Sequence, residues 1–166
     1  GMPAMVLTPL AIVAAGVVGV QAAGWNPWAV RGRPMLWVLH AGYWFIPVGL
    51  LLLGLSAAQV VSRSAAVHAL AVGSTGGLIM GMITRTALGH SGRPVRAGRL
   101  EVAVYVLVLL SAVLRVGASL IPVVYLPGVF AAGIAWTGSL VVYLVGYIPV
   151  LTGSRVRREA APVRAA

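Results

Sequence analysis

The chain has no cysteine and no lysine, and only two acidic residues, Glu101 and Glu159, in 166 positions. Without cysteine there is no disulfide, no Cys-ligated metal, no iron–sulfur cluster and no thiolate-bound haem. Charged residues of all kinds make up 8% of the chain, against about 25% in a soluble domain. No nucleophile–base motif, carboxylate pair or phosphate-cradling loop is present to point to an enzyme. The twelve positive residues are all arginines and give a net charge of +10. Apart from Arg115 they are split among short connectors and the C-terminal tail, and they form no recognisable nucleic-acid module, which argues against such a partner.

What is there is apolar. Hydrophobic residues make up 60% of the chain, and the mean hydropathy is +1.00. A membrane-spanning helix needs about 20 mostly apolar residues. Five segments qualify, roughly Val6–Ala22, Met35–Leu55, Ser64–Leu88, Glu101–Ile121 and Gly128–Leu151. Between them stand the breakers Asn26-Pro27, Arg33-Pro34, Gly92-Arg93-Pro94 and the stretch Pro122 to Pro127. The fold class is an all-α integral membrane protein: one transmembrane domain, a five-helix bundle, ending in a basic tail over 152–166. The first segment could also be read as a signal peptide ending near Val20–Gly24, but it lacks the basic start of such peptides.

Arginine counts orient the bundle. The first connector holds Arg31 and Arg33, the third Arg85, Arg93, Arg96 and Arg99, and the tail Arg155, Arg157, Arg158 and Arg164. The second connector holds only Arg63, and the fourth is uncharged. Because cytoplasmic loops collect Arg and Lys, connectors one and three and the C-terminus belong in the cytoplasm and the N-terminus outside. In these terms the chain is multi-pass, and its first partner is the lipid bilayer.

Orientation converts position to depth, at about 1.5 Å per helical residue. His40 lies just below the cytoplasmic surface, His68 near the outer surface, and His90 past the cytoplasmic end of the third segment. His68 and His90 are on the order of 30 Å apart along one helix, too far to share one small centre within a single chain. Arg115 lies in the outer half of the fourth segment, level with His68. An ionisable residue inside a span faces the bundle interior or a polar cavity, or snorkels to the surface. A polar pocket of Arg115 with His68 is therefore one expectation. A second, inner grouping at similar depth is His40, Glu101, Tyr105 and His90. A neutral imidazole there suits haem iron or copper.

Small residues recur every four positions in the third segment: Ala65, Ala69, Gly73, Gly77 and Gly81. Such a ridge lets a neighbouring backbone approach closely, and helix packing explains it better than a flat macrocycle lying along it. The adjacent row runs from Ser64 and His68 through Gly76 and Met80 to Thr84. His68 and Met80 on that row are about 18 Å apart and cannot both ligate one haem.

Three stretches carry a family resemblance: "LWVLHAGYWFIPVGLLLLGLS" (Leu36–Ser56), "AVHALAVGSTGGLIMGMITRTALGHSGRP" (Ala66–Pro94) and "YLVGYIPVLTGSR" (Tyr143–Arg155). Together they resemble the C-terminal part of the NnrS family, from about Arg33 to Arg155. The T-R-x-x-L-G-H-S-G-R-P element is the most specific of them. The resemblance implies a bacterial inner-membrane protein that contains haem and copper and is linked to denitrification and nitric oxide stress. It marks His40, His68 and His90 as candidate haem or metal ligands, with Arg85 and Arg93 in the loop motif; Arg115 joins them as a candidate cofactor contact through its depth. Full-length members are longer, so a site between halves would need a second copy or a partner membrane subunit. Two other readings stay open. A small-anion transporter or channel subunit would use Arg115, Pro47 and Pro149 in a homo-oligomer, and a membrane scaffold would use its arginines on anionic lipid.

Overall fold

With no water in the hydrocarbon layer, every backbone N–H and C=O needs a partner in its own segment or its neighbours, which makes helices the outcome for these apolar runs. The structure, a computed structural model, describes residues 3–156. Residues Arg157, Arg158, Glu159 and Arg164 of the expected basic tail lie outside the described residues. Among the described residues five helices are long and apolar enough to cross a membrane. These are α1 (Ala4–Gly24), α2 (Pro34–Ala57), α3 (Arg63–His90), α4 (Arg99–Leu120) and α5 (Tyr125–Thr152). Single 3₁₀ turns, Pro27–Val30 and Pro122–Val124, fill two of the connectors.

The helix starts follow proline chemistry. Pro34 opens α2, where the N–H it lacks would have had no partner. The stretch Pro122 to Pro127, expected as a connector throughout, instead contains the first turn of α5. Pro127 sits within that turn, where a missing donor costs nothing. The end of α3 is set by Gly92, whose φ is +76°. The Gly92 N–H reaches the Gly89 carbonyl at 3.2 Å and the Arg93 N–H the Leu88 carbonyl at 3.0 Å. That pair of bonds closes a helix end around a left-handed residue, for which glycine is the ordinary choice.

The small-residue ridge of α3 is covered by α2. A Cβ on Gly42 would lie 3.1 Å from the Leu78 nitrogen, and one on Gly77 would lie 3.2 Å from the Gly42 Cα. Gly73 meets the Phe45 ring, and Gly81 meets Val38 and Leu39. The neighbouring row faces the other way: Gly76 sits against Trp136 of α5 and Val108 of α4. The middle of α3, Ala69–Gly76, is wound as π-helix, with the Thr75 hydroxyl donating to the Leu70 carbonyl five residues back at 3.1 Å. Nothing in the spacing of small residues announced this wider winding.

α4 and α5 form an antiparallel pair that closes over α3. Ser139 Oγ donates to the Val104 carbonyl at 3.0 Å, Gly128 meets Ala118, and Gly146 meets Leu100. One buried cluster, with Met35, Val38, Met80, Val104, Tyr105 and Tyr147, fills the half nearer the first and third connectors. A smaller one, with Leu52, Ala65, Ala66, Ala69 and Val116, fills the other half. α1 packs along α2, where Thr8 Oγ1 donates to the Gly54 carbonyl at 3.3 Å.

The Gly42–Gly77 contact leads to the first prediction. Gly77→Val forces a branched side chain into the α2 backbone and should destabilise the fold by about 1–3 kcal/mol. Gly16→Val, where a Cβ meets nothing within 4 Å, should leave stability nearly unchanged. Thermal denaturation of both variants in detergent, followed by size-exclusion chromatography, checks the difference.

Candidate functional site

Polar side chains gather at two levels. At the end bearing Arg63, His68 Nδ1 lies 2.7 Å from the Ser64 carbonyl oxygen and 3.2 Å from Ser64 Oγ. A carbonyl only accepts, so the proton of a neutral His68 sits on Nδ1 and the Nε2 lone pair is left over. Arg115 Nη1 donates to Ser119 Oγ at 2.8 Å, and Ser119 Oγ lies 3.3 Å from Ser64 Oγ. A long contact of 3.5 Å runs from Arg115 Nη2 to Ser64 Oγ. The guanidinium also stands 5.8 Å from the centroid of the Tyr125 ring, within range of a cation–π attraction. The expected pairing of Arg115 with His68 is thus an indirect one through two serines. Sequence reasoning missed both. Ser64 precedes His68 by four residues and Ser119 follows Arg115 by four, the spacing that brings helical side chains together.

The inner grouping expected from depth does not form. His40 faces α1: its ring centroid is 6.4 Å from that of Trp25, and its Nε2 accepts the Trp44 indole N–H at 3.1 Å. It lines an apolar depression of about 470 Å³ with Trp25, Leu39, Tyr43 and Leu78. His90 is exposed and lines a different depression, beside Met82, Arg85 and Arg155. Tyr105 is fully buried in the helix core, and Glu101 accepts the Tyr147 hydroxyl at 2.9 Å and the Gly98 N–H at 2.7 Å. Depth fixes how far along a helix a residue lies, but not which way round it points. These four residues share a level and face three directions. Among the described residues no three metal-ligating side chains converge.

Beside Glu101 lies a second buried pair, the Thr84 and Tyr105 hydroxyls, 2.6 Å apart. Thr84 also points at the Met80 and Gly81 carbonyls, at 2.9 and 3.1 Å. A hydroxyl has one proton, so Thr84 donates to a carbonyl and Tyr105 donates to Thr84. The Trp37 ring meets Tyr105 edge-on at 6.0 Å.

The loop after α3 divides its candidate residues. Arg85 is exposed on the last turns of the helix and borders a cleft with Arg33 and Arg96. Arg93 turns the other way: it is half-buried beside Gly153 at the end of α5, and its Nη1 is enclosed. A cation there faces the negative end of the α5 dipole. The Val156 N–H donates to the Ser91 carbonyl at 3.0 Å, and a Cβ on Gly92 would collide with the Val156 carbonyl. Ser91, Gly92 and Arg93 therefore hold the chain that follows α5.

The protein-family model described as NnrS protein matches residues 2–155, most of the chain, and the chain belongs to that family. The match starts well before the resemblance read from the sequence, which begins at about Arg33. No curated protein and no solved structure matches the chain.

Two predictions come from these bonds. Thr84→Val leaves the buried Tyr105 hydroxyl without its acceptor and should cost about 1–3 kcal/mol. Tyr105→Phe leaves Thr84 bonded to its carbonyls and should cost less, a difference that thermal unfolding of the two variants measures. Gly92→Ala places a side chain at positive φ and against Val156, so the Val156–Ser91 bond should break. Tryptic cleavage after Arg155 should then be faster than in the parent protein, on a timed digest in detergent.

Proposed function

We propose that this NnrS-family membrane protein binds haem or copper and acts in the bacterial response to nitric oxide, with His68 as the ligand that carries the reading. The supporting observation is the 2.7 Å contact from His68 Nδ1 to the Ser64 carbonyl. A histidine that ligates a metal usually gives its other ring proton to a carbonyl or carboxylate, which fixes the tautomer and the ring orientation. His68 has that arrangement, and it is half-buried rather than enclosed. His40 fits less directly, since its Nε2 already accepts the Trp44 indole proton and only an indole rotation would release it. His90 is exposed and lacks a partner of that kind among the described residues.

A centre at His68 would take one protein ligand from this chain. A bound haem would supply an iron able to coordinate a small diatomic gas. His68 would hold the iron, and the Ser64 carbonyl would keep its imidazole turned outward. Arg115, fixed by Ser119 and the Tyr125 ring, would set a positive charge beside an acidic group of the ligand. A second protein ligand would come from another copy of the chain or from a partner membrane subunit. The arginine asymmetry between the two ends supports a location in the bacterial inner membrane with connectors one and three in the cytoplasm.

The test is an absorption spectrum and metal analysis of the protein purified from haem-replete cells. A Soret band or bound copper is expected in the parent protein, reduced several-fold by His68→Ala and much less by His90→Ala. Absence of both haem and copper from the parent protein, or equal retention in His68→Ala, would sink the assignment.

A further inference from the structure

The first connector, the last turns of α3 and the third connector meet in a cleft of about 490 Å³. Three arginines border it, Arg33, Arg85 and Arg96, one from each of these segments, and all three are exposed. Met35, Leu36 and Val95 supply apolar wall. No acidic side chain lines the cleft, and Glu101 is turned away into bonds with the Gly98 N–H and the Tyr147 hydroxyl. Arg33 directly precedes the first residue of α2, and Arg85 lies five residues before the end of α3. The cleft therefore lies where two spanning helices leave the bilayer.

Three like charges facing one space repel one another, and an anion among them reverses the sign of that interaction. Guanidinium groups are planar forks that bind phosphate oxygens in pairs, and Arg is weakly hydrated enough to do so at an interface. An apolar wall beside the three forks suits a ligand with a charged head and an uncharged remainder. We propose that this cleft binds a phosphoryl anion, the phosphodiester of an acidic phospholipid or free phosphate, between Arg33, Arg85 and Arg96. Anionic headgroups in basic pockets between membrane helices follow the same electrostatics. The proposal is independent of haem or copper, because none of the three arginines touches His68 or its hydrogen-bond partners.

Native mass spectrometry of the detergent-purified protein tests it, with phosphatidylglycerol, phosphatidylcholine and inorganic phosphate as separate additions. One phosphatidylglycerol per chain should be retained in preference to phosphatidylcholine. R33Q, R85Q and R96Q should each reduce retention about five-fold, the equivalent of roughly 1 kcal/mol per surface arginine. The double variant R31Q/R99Q removes twice the charge of each single variant from the same end but outside the cleft, and should nevertheless reduce retention less than any one of them. Retention of the lipid undisturbed by millimolar phosphate identifies the lipid as the source of the anion. Binding of phosphate lost in R33Q, R85Q and R96Q, without preference between the two lipids, identifies free phosphate. Retention that is the same in the three cleft variants as in the parent, or that falls equally in R31Q/R99Q, overturns the proposal. Because the three side chains are exposed, each single variant should fold, and far-UV circular dichroism verifies this.

Discussion

The approach of Gly42 to Gly77 is the constraint on which the rest of the bundle depends. Between membrane helices there is no hydrophobic drive, because lipid tails are as apolar as leucine. Close packing has to supply the association, and here it does so where two glycines let backbones come nearly into contact. With α2 seated on one face of α3, the other face is presented to α4 and α5. Gly76 then lies under Trp136 and Val108, and Thr84 reaches Tyr105. A side chain at position 42 or 77 would push α2 outward and take Arg33 and His40 with it. The arginine cleft and the His40 depression are both partly walls of α2, so their geometry is a consequence of this contact.

The same packing explains why the polar residues differ in their chemistry. His68 and Arg115 stand on neighbouring helices at one level, and the small side chains between them are serines that both accept and donate. Each residue therefore ends with a defined proton arrangement. His40 stands among Trp25, Tyr43 and Trp44, where a single donor reaches it. A histidine surrounded by carbonyl and hydroxyl acceptors keeps its Nε2 lone pair exposed. One that meets an indole N–H has its lone pair engaged. The distinction follows from which neighbour each helix face meets, and composition does not contain it.

Helix number, the α-helical class and the role of the small-residue ridge were legible because each depends on local pattern. Apolar length sets a span, and small residues every four positions set a packing face. The spans predicted near Met35–Leu55 and Ser64–Leu88 reappear within α2 and α3, displaced by one or two residues at their ends. Pro127 misled because a proline reads as a breaker unless its place in the first helical turn is known. The π-helical winding of α3 was silent, since it depends on how α3 fits between α2 and α4. Level along the membrane was legible too, which is why Arg115 and His68 were paired correctly in depth. Direction around a helix axis was not. For that reason the inner grouping of His40, Glu101, Tyr105 and His90 dissolved into separate contacts.

The segment from Thr84 to Pro94 shows how one short motif can serve several tasks without a shared site. Thr84 accepts the Tyr105 proton inside the core, and Arg85, next to it, points out to the cleft. Adjacent residues on a helix are separated by about 100°, so a buried position and an exposed one naturally follow each other. Past the helix end that rule lapses and glycine takes over. Gly92 at positive φ turns the chain so that Arg93 folds back beside Gly153 while His90 stays exposed. Gly92 and Arg93 of this motif are therefore accounted for by a helix end, a tail contact and a cation at a helix terminus. Among its charged residues Arg85 is the one left facing open space, and it does so together with Arg33 and Arg96. That arginine trio lines one cleft, and the loop histidine lines a neighbouring depression that shares Arg85 with it.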